Sequence, residues 1–311
     1  MRRIGTWIIA FLLVGAIYVF FIAKPSVNPR FEPSLSDHEI PFISTRGSFE
    51  KGAILAPEPI PFRAEGAIPG LTDACANEVM IVVHGFNNSE DKAMNRFGVA
   101  RQSLLKNDYK GDVVGFSWDA DTQHDPYSMT GYKQGREHAV DAGIRLARAI
   151  DAMKEQCPLM KVRVIGYSMG ARVALESLLT VKTPVDSIHL VGAAIDNEEV
   201  ELGKRYGEAI VRAAGIVFNY FSREDSKLGL FYWAKEGDRA LGKADVEHRD
   251  RAPKNYVSIE SSKELPEIDD AGNVVSTGKL GRNHSGYLGT RNDKGELSDD
   301  GVMNLVARDA N

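Results

Sequence analysis

The sequence predicts an α/β protein: a mostly parallel sheet with helices on both faces, preceded by one apolar N-terminal segment. Short runs rich in Val and Ile recur at Val79–Val83, Val113–Ser117, Val162–Ile165, Ser187–Ala193 and Ile216–Phe221. They are continuous rather than alternating, which suits strands covered on both sides. Segments of helical length separate them, and strand–helix alternation of this kind makes successive strands parallel.

Taken in chain order, the first element is Ile4–Ala23, which follows Arg2 and Arg3, carries no charge and is interrupted only by Gly5, Thr6 and Gly15. Its length matches a hydrocarbon core of ~30 Å at ~1.5 Å rise per residue. A signal peptide cut after Ala23 would place Phe21 where a small residue is needed, so an uncleaved membrane anchor over residues 1–23 is expected. Arg2 and Arg3 favour a cytoplasmic N-terminus, opposed by Lys24 and Arg30 just beyond the segment. Residues 24–36 hold three prolines and read as a tether, and residues 37–311 form the globular domain.

Within that domain, helices are expected at about Ser89–Lys106, Gln134–Met153, Met169–Thr180 and Asn197–Ala214. Val140, Ile144, Ala147 and Ile150 recur at helical spacing and predict the sheet-facing side of the second. Tyr256–Ile259 is expected as the last strand and Asp299–Asp309 as the last helix, with Ser298 as N-cap. The 311 residues carry a net charge of −5, with no long run of one sign, so no nucleic-acid partner is expected.

The chemistry centres on Gly166-Tyr167-Ser168-Met169-Gly170, directly after the strand Val162–Ile165 and opening the next helix. A serine on such a tight turn projects its Oγ from the carboxyl edge of the sheet. The pentapeptide lacks the lysine of a phosphate-binding loop. A serine nucleophile needs a base, and the base needs a carboxylate to orient it. His284, in a loop past the last strand, is the candidate base, whereas His248 lies in the charged stretch 247–251 that reads as surface. Asp225 follows the strand Ile216–Phe221 and is the first candidate acid; Asp196 and Glu224 are the alternatives, and Asp196 also suits a helix N-cap. The backbone N–H groups of Met169 and Phe86 are the expected oxyanion donors. His84 is expected to pack beneath the Phe86 loop, since no metal-ligand spacing surrounds it.

With His84-Gly85-Phe86-Asn87, Phe116-Ser117-Trp118, the serine pentapeptide, Phe221-Ser222-Arg223-Glu224-Asp225, and His284 with Tyr287 in this order, the chain resembles the α/β-hydrolases, specifically a little-characterised bacterial family of esterase- or lipase-like members. The resemblance covers about residues 37–290. It implies the α/β-hydrolase fold and a serine hydrolase acting on an ester, thioester or amide, with a small or lipid-like acyl substrate and no cofactor. An acyltransferase or thioesterase using the same residues stays open, as does a non-catalytic membrane-anchored interaction module. Two stretches depart from the pattern: the long polar 261–283 before His284, and 227–254, read as a lid with Phe231, Tyr232 and Trp233 beneath it. In the α/β-hydrolase sheet the strands after Cys75 and Cys157 are neighbours, so a Cys75–Cys157 disulfide is expected. It implies an extracytoplasmic, periplasmic domain.

Overall fold

The computed structural model describes residues 40–50, 54–56, 61–122, 128–266, 284–292 and 294–311. The expected anchor, the tether and most of the stretch 261–283 lie outside these residues. Among the described residues no helix is long and apolar enough to cross a membrane.

The order of elements is β1 (Phe42–Ser44), β2 (Arg63–Glu65), β3 (Glu78–Val83), α1 (Glu90–Lys106), β4 (Asp112–Ser117), α2 (Met129–Gln156), β5 (Lys161–Tyr167), α3 (Gly170–Thr180), β6 (Val185–Val191), α4 (Gly207–Ala213), β7 (Ala214–Phe221), β8 (Tyr256–Glu260) and α5 (Met303–Ala310). Eight strands form one sheet, ordered β8-β7-β6-β5-β3-β4-β1-β2. Every neighbouring pair is parallel except β1 with β2, a short antiparallel edge. The apolar runs are continuous because both faces are covered. Val79, Ile81 and Val83 of β3 join a core with α2, α3 and α4, whereas Met80 and Val82 join a second core with α1 and α5.

Several boundaries differ from the sequence reading. α2 begins earlier, at Met129, where the Ser128 side chain accepts from the Gly131 N–H at 3.0 Å. Its buried face runs through Ala139, Ala142, Gly143, Leu146, Ile150 and Met153, and Ile144 points outward with 36% exposure. Small residues decide this: a Cβ on Gly143 would lie 2.3 Å from Glu176 Cβ, so α2 meets α3 along a glycine–alanine face. The helix expected over Asn197–Ala214 is cut to Gly207–Ala213. Gly203 adopts φ +80°, and a Cβ on Gly207 would meet the Glu201 carbonyl oxygen at 2.1 Å, so the chain turns there before the helix starts. Asp196 consequently caps no helix. At the C-terminus, Leu297–Asp299 pairs with Thr290–Arg291 as a small ribbon, and Gly301 at φ +56° delays the last helix to Met303. Ser298 is therefore a strand residue, not an N-cap.

Cys75 and Cys157 form a disulfide with Cα atoms 5.6 Å apart, at the amino-terminal ends of β3 and β5 and so on the far side of the sheet from Ser168.

Candidate active site

Ser168 sits between β5 and α3 with φ +55°, a left-handed conformation that costs a non-glycine residue roughly 1–2 kcal/mol. Its neighbours hold it there: Ser168 N–H donates to the Val191 carbonyl at 3.1 Å, and Ala194 N–H donates to the Ser168 carbonyl at 3.1 Å. The two flanking glycines are steric necessities. A Cβ on Gly170 would lie 2.6 Å from the carbonyl oxygens of both Val83 and His84, and one on Gly166 would lie 2.7 Å from Ala171 Cα.

His284 reaches this serine from the other end of the domain. Its Nε2 is 2.8 Å from Ser168 Oγ and its Nδ1 is 2.7 Å from Asp225 Oδ2. The carboxylate, fully buried, sets the tautomer: Nδ1–H donates to it, leaving Nε2 to accept from the serine hydroxyl. Asp225 Oδ1 accepts from the Leu228 N–H at 2.9 Å, which fixes the carboxylate plane. The imidazole is itself clamped. Tyr167 stacks on it with ring centres 5.3 Å apart and donates its hydroxyl to the His284 carbonyl at 3.0 Å. Arg96 donates to the Ser285 carbonyl at 3.0 Å and lies over the Tyr167 ring, while Tyr287 packs edge-on against the imidazole.

The other two candidate acids lie elsewhere. Asp196 accepts from the Tyr232 hydroxyl at 2.7 Å, and Glu224 is exposed. The geometry thus joins Ser168, His284 and Asp225 and leaves Asp196 and Glu224 outside.

The loop after β3 closes the site on the opposite side. A Cβ on Gly85 would lie 2.9 Å from Ser168 Cβ, so the backbone of Gly85-Phe86 runs against the serine. The N–H groups of Phe86 and Met169 donate to no acceptor among the described residues. Beneath the loop lies His84, fully buried: Trp118 N–H donates to its Nε2 at 3.1 Å, and its Nδ1 is 2.9 Å from the Gly85 carbonyl. Trp118 Nε1–H donates to the His84 carbonyl at 2.9 Å, which explains why Phe116-Ser117-Trp118 accompanies His84-Gly85. Arg46 adds a brace that the sequence reading missed, donating to Ser117 Oγ and to the Asn88 carbonyl, each at 2.7 Å. No motif marks this arginine.

Burial, with Arg46 adding to it, lowers the His84 pKa to about 3; burial and the Arg163 charge lower that of His189 to about 3 as well. Both rings are neutral in the folded protein, while in the unfolded chain they take up a proton below about pH 6.5. Between those values the unfolded state binds more protons, so stability falls as pH falls. Each histidine is expected to remove about 2 kcal/mol between pH 6.5 and 5. Denaturant titrations across that range check this, and the loss should be reduced by about half in His189→Gln.

Metal-ligand spacing occurs among the described residues at Glu201, Glu247 and His248. The buried Glu201 carboxylate there accepts from the His248 backbone N–H at 2.8 Å and faces its ring Nδ1 at 3.0 Å, holding the turn 247–251 together. The stretch 227–254 divides in two. Residues 239–242 are laced to the end of β6 through Asn197 N–H to Arg239, Leu241 N–H to Ile195 and Gly242 N–H to Ala193. Leu228–Glu236 is a short helical segment whose Phe231 packs edge-on against Tyr132 and whose Tyr232 is buried. Trp233, expected on the underside, is instead 61% exposed.

Residues 68–252 match the profile of an alpha/beta hydrolase family of unknown function. The chain belongs to this family, DUF900. The matched stretch contains Phe86, Ser168 and Asp225 and stops before His284. No curated protein matches. Among solved structures, a cutinase-like protein from Cryptococcus sp. is similar at 14% identity and a TM-score of 0.33, over 61% of this chain and 78% of that one. The catalytic core domain of acetyl xylan esterase from Trichoderma reesei is similar at 11% identity and 0.34, over 61% and 84%. An esterase from Thermogutta terrifontis follows at 12% and 0.29, over 59% and 70%. At this level they are likenesses of strand and helix arrangement alone.

Proposed function

We propose that this DUF900 member is a membrane-anchored serine esterase in which Ser168 is the nucleophile, His284 the general base and Asp225 the orienting acid. The observation that carries the reading is the unbroken hydrogen-bond chain from Ser168 Oγ through His284 to the buried Asp225.

In the first half-reaction Ser168 Oγ bonds to the ester carbonyl carbon while its proton passes to His284 Nε2. The carbonyl oxygen becomes an oxyanion and takes the N–H groups of Phe86 and Met169. The C–O bond to the alcohol then breaks, and His284 returns the proton to the departing oxygen. Water repeats the sequence against the acyl-enzyme, giving the carboxylic acid and restoring Ser168. Asp225 stabilises the imidazolium formed in each half and keeps Nδ1 protonated. An ester is the simplest substrate for this sequence, which needs no cofactor.

Anchoring rests on the sequence of Ile4–Ala23, and an extracytoplasmic location on the Cys75–Cys157 disulfide. Purified full-length protein in detergent, offered nitrophenyl esters and thioesters of increasing acyl length, is expected to turn over esters. Thioester turnover alone contradicts the esterase assignment. In cells the protein is expected to stay with membranes through carbonate washing, with its N-terminus intact by mass. A mature form beginning after Ala23 contradicts the anchor.

A further inference from the structure

Tyr287 lies three residues beyond His284 and has no part in the acyl-transfer steps, yet it stands against the groups that perform them. It is fully buried, and its ring packs edge-on against the His284 imidazole with centroids 5.8 Å apart. Its place is fixed from both ends. Val302 N–H donates to its carbonyl at 3.1 Å, and the ring lies on Gly192, just past β6, where a Cβ would come within 2.6 Å of it. A side chain at position 192 would push the ring out of the site.

This packing delivers a hydroxyl into a buried setting. The Gly242 carbonyl it reaches is 3.5 Å away, at the outer limit of a hydrogen bond, and already accepts the Ser222 N–H at 2.9 Å. The Asp225 carboxylate also lies within hydrogen-bond reach, and burial together with that charge pushes the phenol pKa well above its ordinary value. An O–H free to turn between a distant, occupied carbonyl and an ionised carboxylate goes to the carboxylate, because charged acceptors bind roughly twice as strongly.

Asp225 has room for this donor. An ionised carboxylate offers about four acceptor sites. His284 Nδ1–H fills one on Oδ2 and Leu228 N–H one on Oδ1. The carboxylate is fully buried, so bulk water does not support its charge and each protein donor counts. The other titratable groups around the pair are Tyr167 with Arg96 over its ring, Lys243, Glu224 and Glu260. Tyr167 donates to the His284 carbonyl, Lys243 to the Arg223 carbonyl, and Glu260 accepts from Ser262 Oγ.

We infer that Tyr287 is a positioning residue for the acyl-transfer reaction: its hydroxyl donates to the Asp225 carboxylate, steadies it against His284 Nδ1 and moderates the pull of its charge on the imidazolium. This rests on the serine-esterase reading of the site. A donor to the carboxylate stabilises its negative charge and so weakens its hold on a proton at the neighbouring ring. Without the hydroxyl the imidazolium gains, and His284 becomes protonated at a higher pH. Tyr287 thereby keeps the base available over a wider acidic range.

The test is the pH profile of kcat/KM on one nitrophenyl ester, whose acid limb follows protonation of the base in the free enzyme. Full-length wild type is compared with Tyr287→Phe, which keeps the ring on Gly192 and the imidazole and removes only the hydroxyl. The acid limb of the variant is expected about 0.5–1 pH unit above that of the wild type, with plateau kcat lowered about threefold to tenfold and KM within about twofold. A ring that merely fills space leaves the limb where it is, so an unmoved or lowered limb overturns the role. If Tyr287→Phe does not fold, 3-fluorotyrosine placed at position 287 keeps the ring and supplies a stronger donor. Its acid limb is expected below that of the wild type, and an unmoved or raised limb overturns the role. Failure of the underlying reading looks different. A wild-type protein that neither hydrolyses the ester nor takes a serine-directed phosphonate removes the esterase reading and the role of Tyr287 together. An active, labelled wild type with an unmoved limb in the variant removes the role of Tyr287 alone.

Discussion

Ser168→Ala is expected to lower ester turnover by about 10³-fold or more while leaving the fold intact. The replacement removes the one atom that forms the acyl bond, so what remains is carbonyl polarisation by the Phe86 and Met169 N–H groups and substrate binding. Alanine also fits the backbone position, at a modest cost in the left-handed conformation that Ser168 already bears at φ +55°. Asp225→Asn is expected to lower turnover by a similar order, because an amide facing His284 Nδ1 can turn its N–H toward the ring and impose the wrong tautomer. Asp196→Asn should leave the hydrogen bonds of His284 untouched, since Asp196 is engaged with Tyr232, and Glu224→Gln alters an exposed residue. Steady-state rates on one ester for the four variants check this. A collapse in Asp196→Asn alone contradicts the assignment of the acid.

The second large effect is on stability. Cys75 and Cys157 are 82 residues apart in sequence and join the amino-terminal ends of two adjacent central strands. Closing a loop of that length restricts the unfolded chain by about 4 kcal/mol in the chain-entropy model. Cys75→Ser with Cys157→Ser is therefore expected to lower unfolding free energy by roughly that amount, with wild-type activity retained at temperatures where the variant stays folded. The disulfide lies across the sheet from Ser168, so turnover and stability should separate. Denaturant unfolding of the oxidised, reduced and double-serine forms measures the difference. Equal midpoints for all three contradict it.

The strands were legible in the sequence because their environment is extreme. β3 to β7 are each covered on both faces, so Val79–Val83 and Val162–Ile165 appear as unbroken apolar runs whose register needs no alternation. The serine turn was legible for a steric reason, since its glycines answer to contacts of 2.6 and 2.7 Å that no side chain tolerates. The chain order of serine, acid and histidine then narrowed the partners to a few residues, and the geometry joins the first choice of each. Helix faces were harder to read. Ile144 pointed the pattern of α2 in the wrong direction because close packing at Gly143 favours small residues over large ones. The short α4 and the late start of α5 follow from left-handed glycines, Gly203 and Gly301, inside otherwise helix-compatible stretches. Arg46 and Arg96 had no signal at all: each reaches the site across a long sequence separation, and single polar residues on an edge segment or a helix carry no periodicity.

The most direct test is to treat the full-length protein with a serine-directed phosphonate and locate the adduct by peptide mapping. A single stoichiometric adduct is expected on the peptide containing Gly166–Gly170, at Ser168, absent from Ser168→Ala and formed much more slowly in His284→Ala. An adduct of equal extent in Ser168→Ala, or an unlabelled wild-type protein that still hydrolyses esters, contradicts the account.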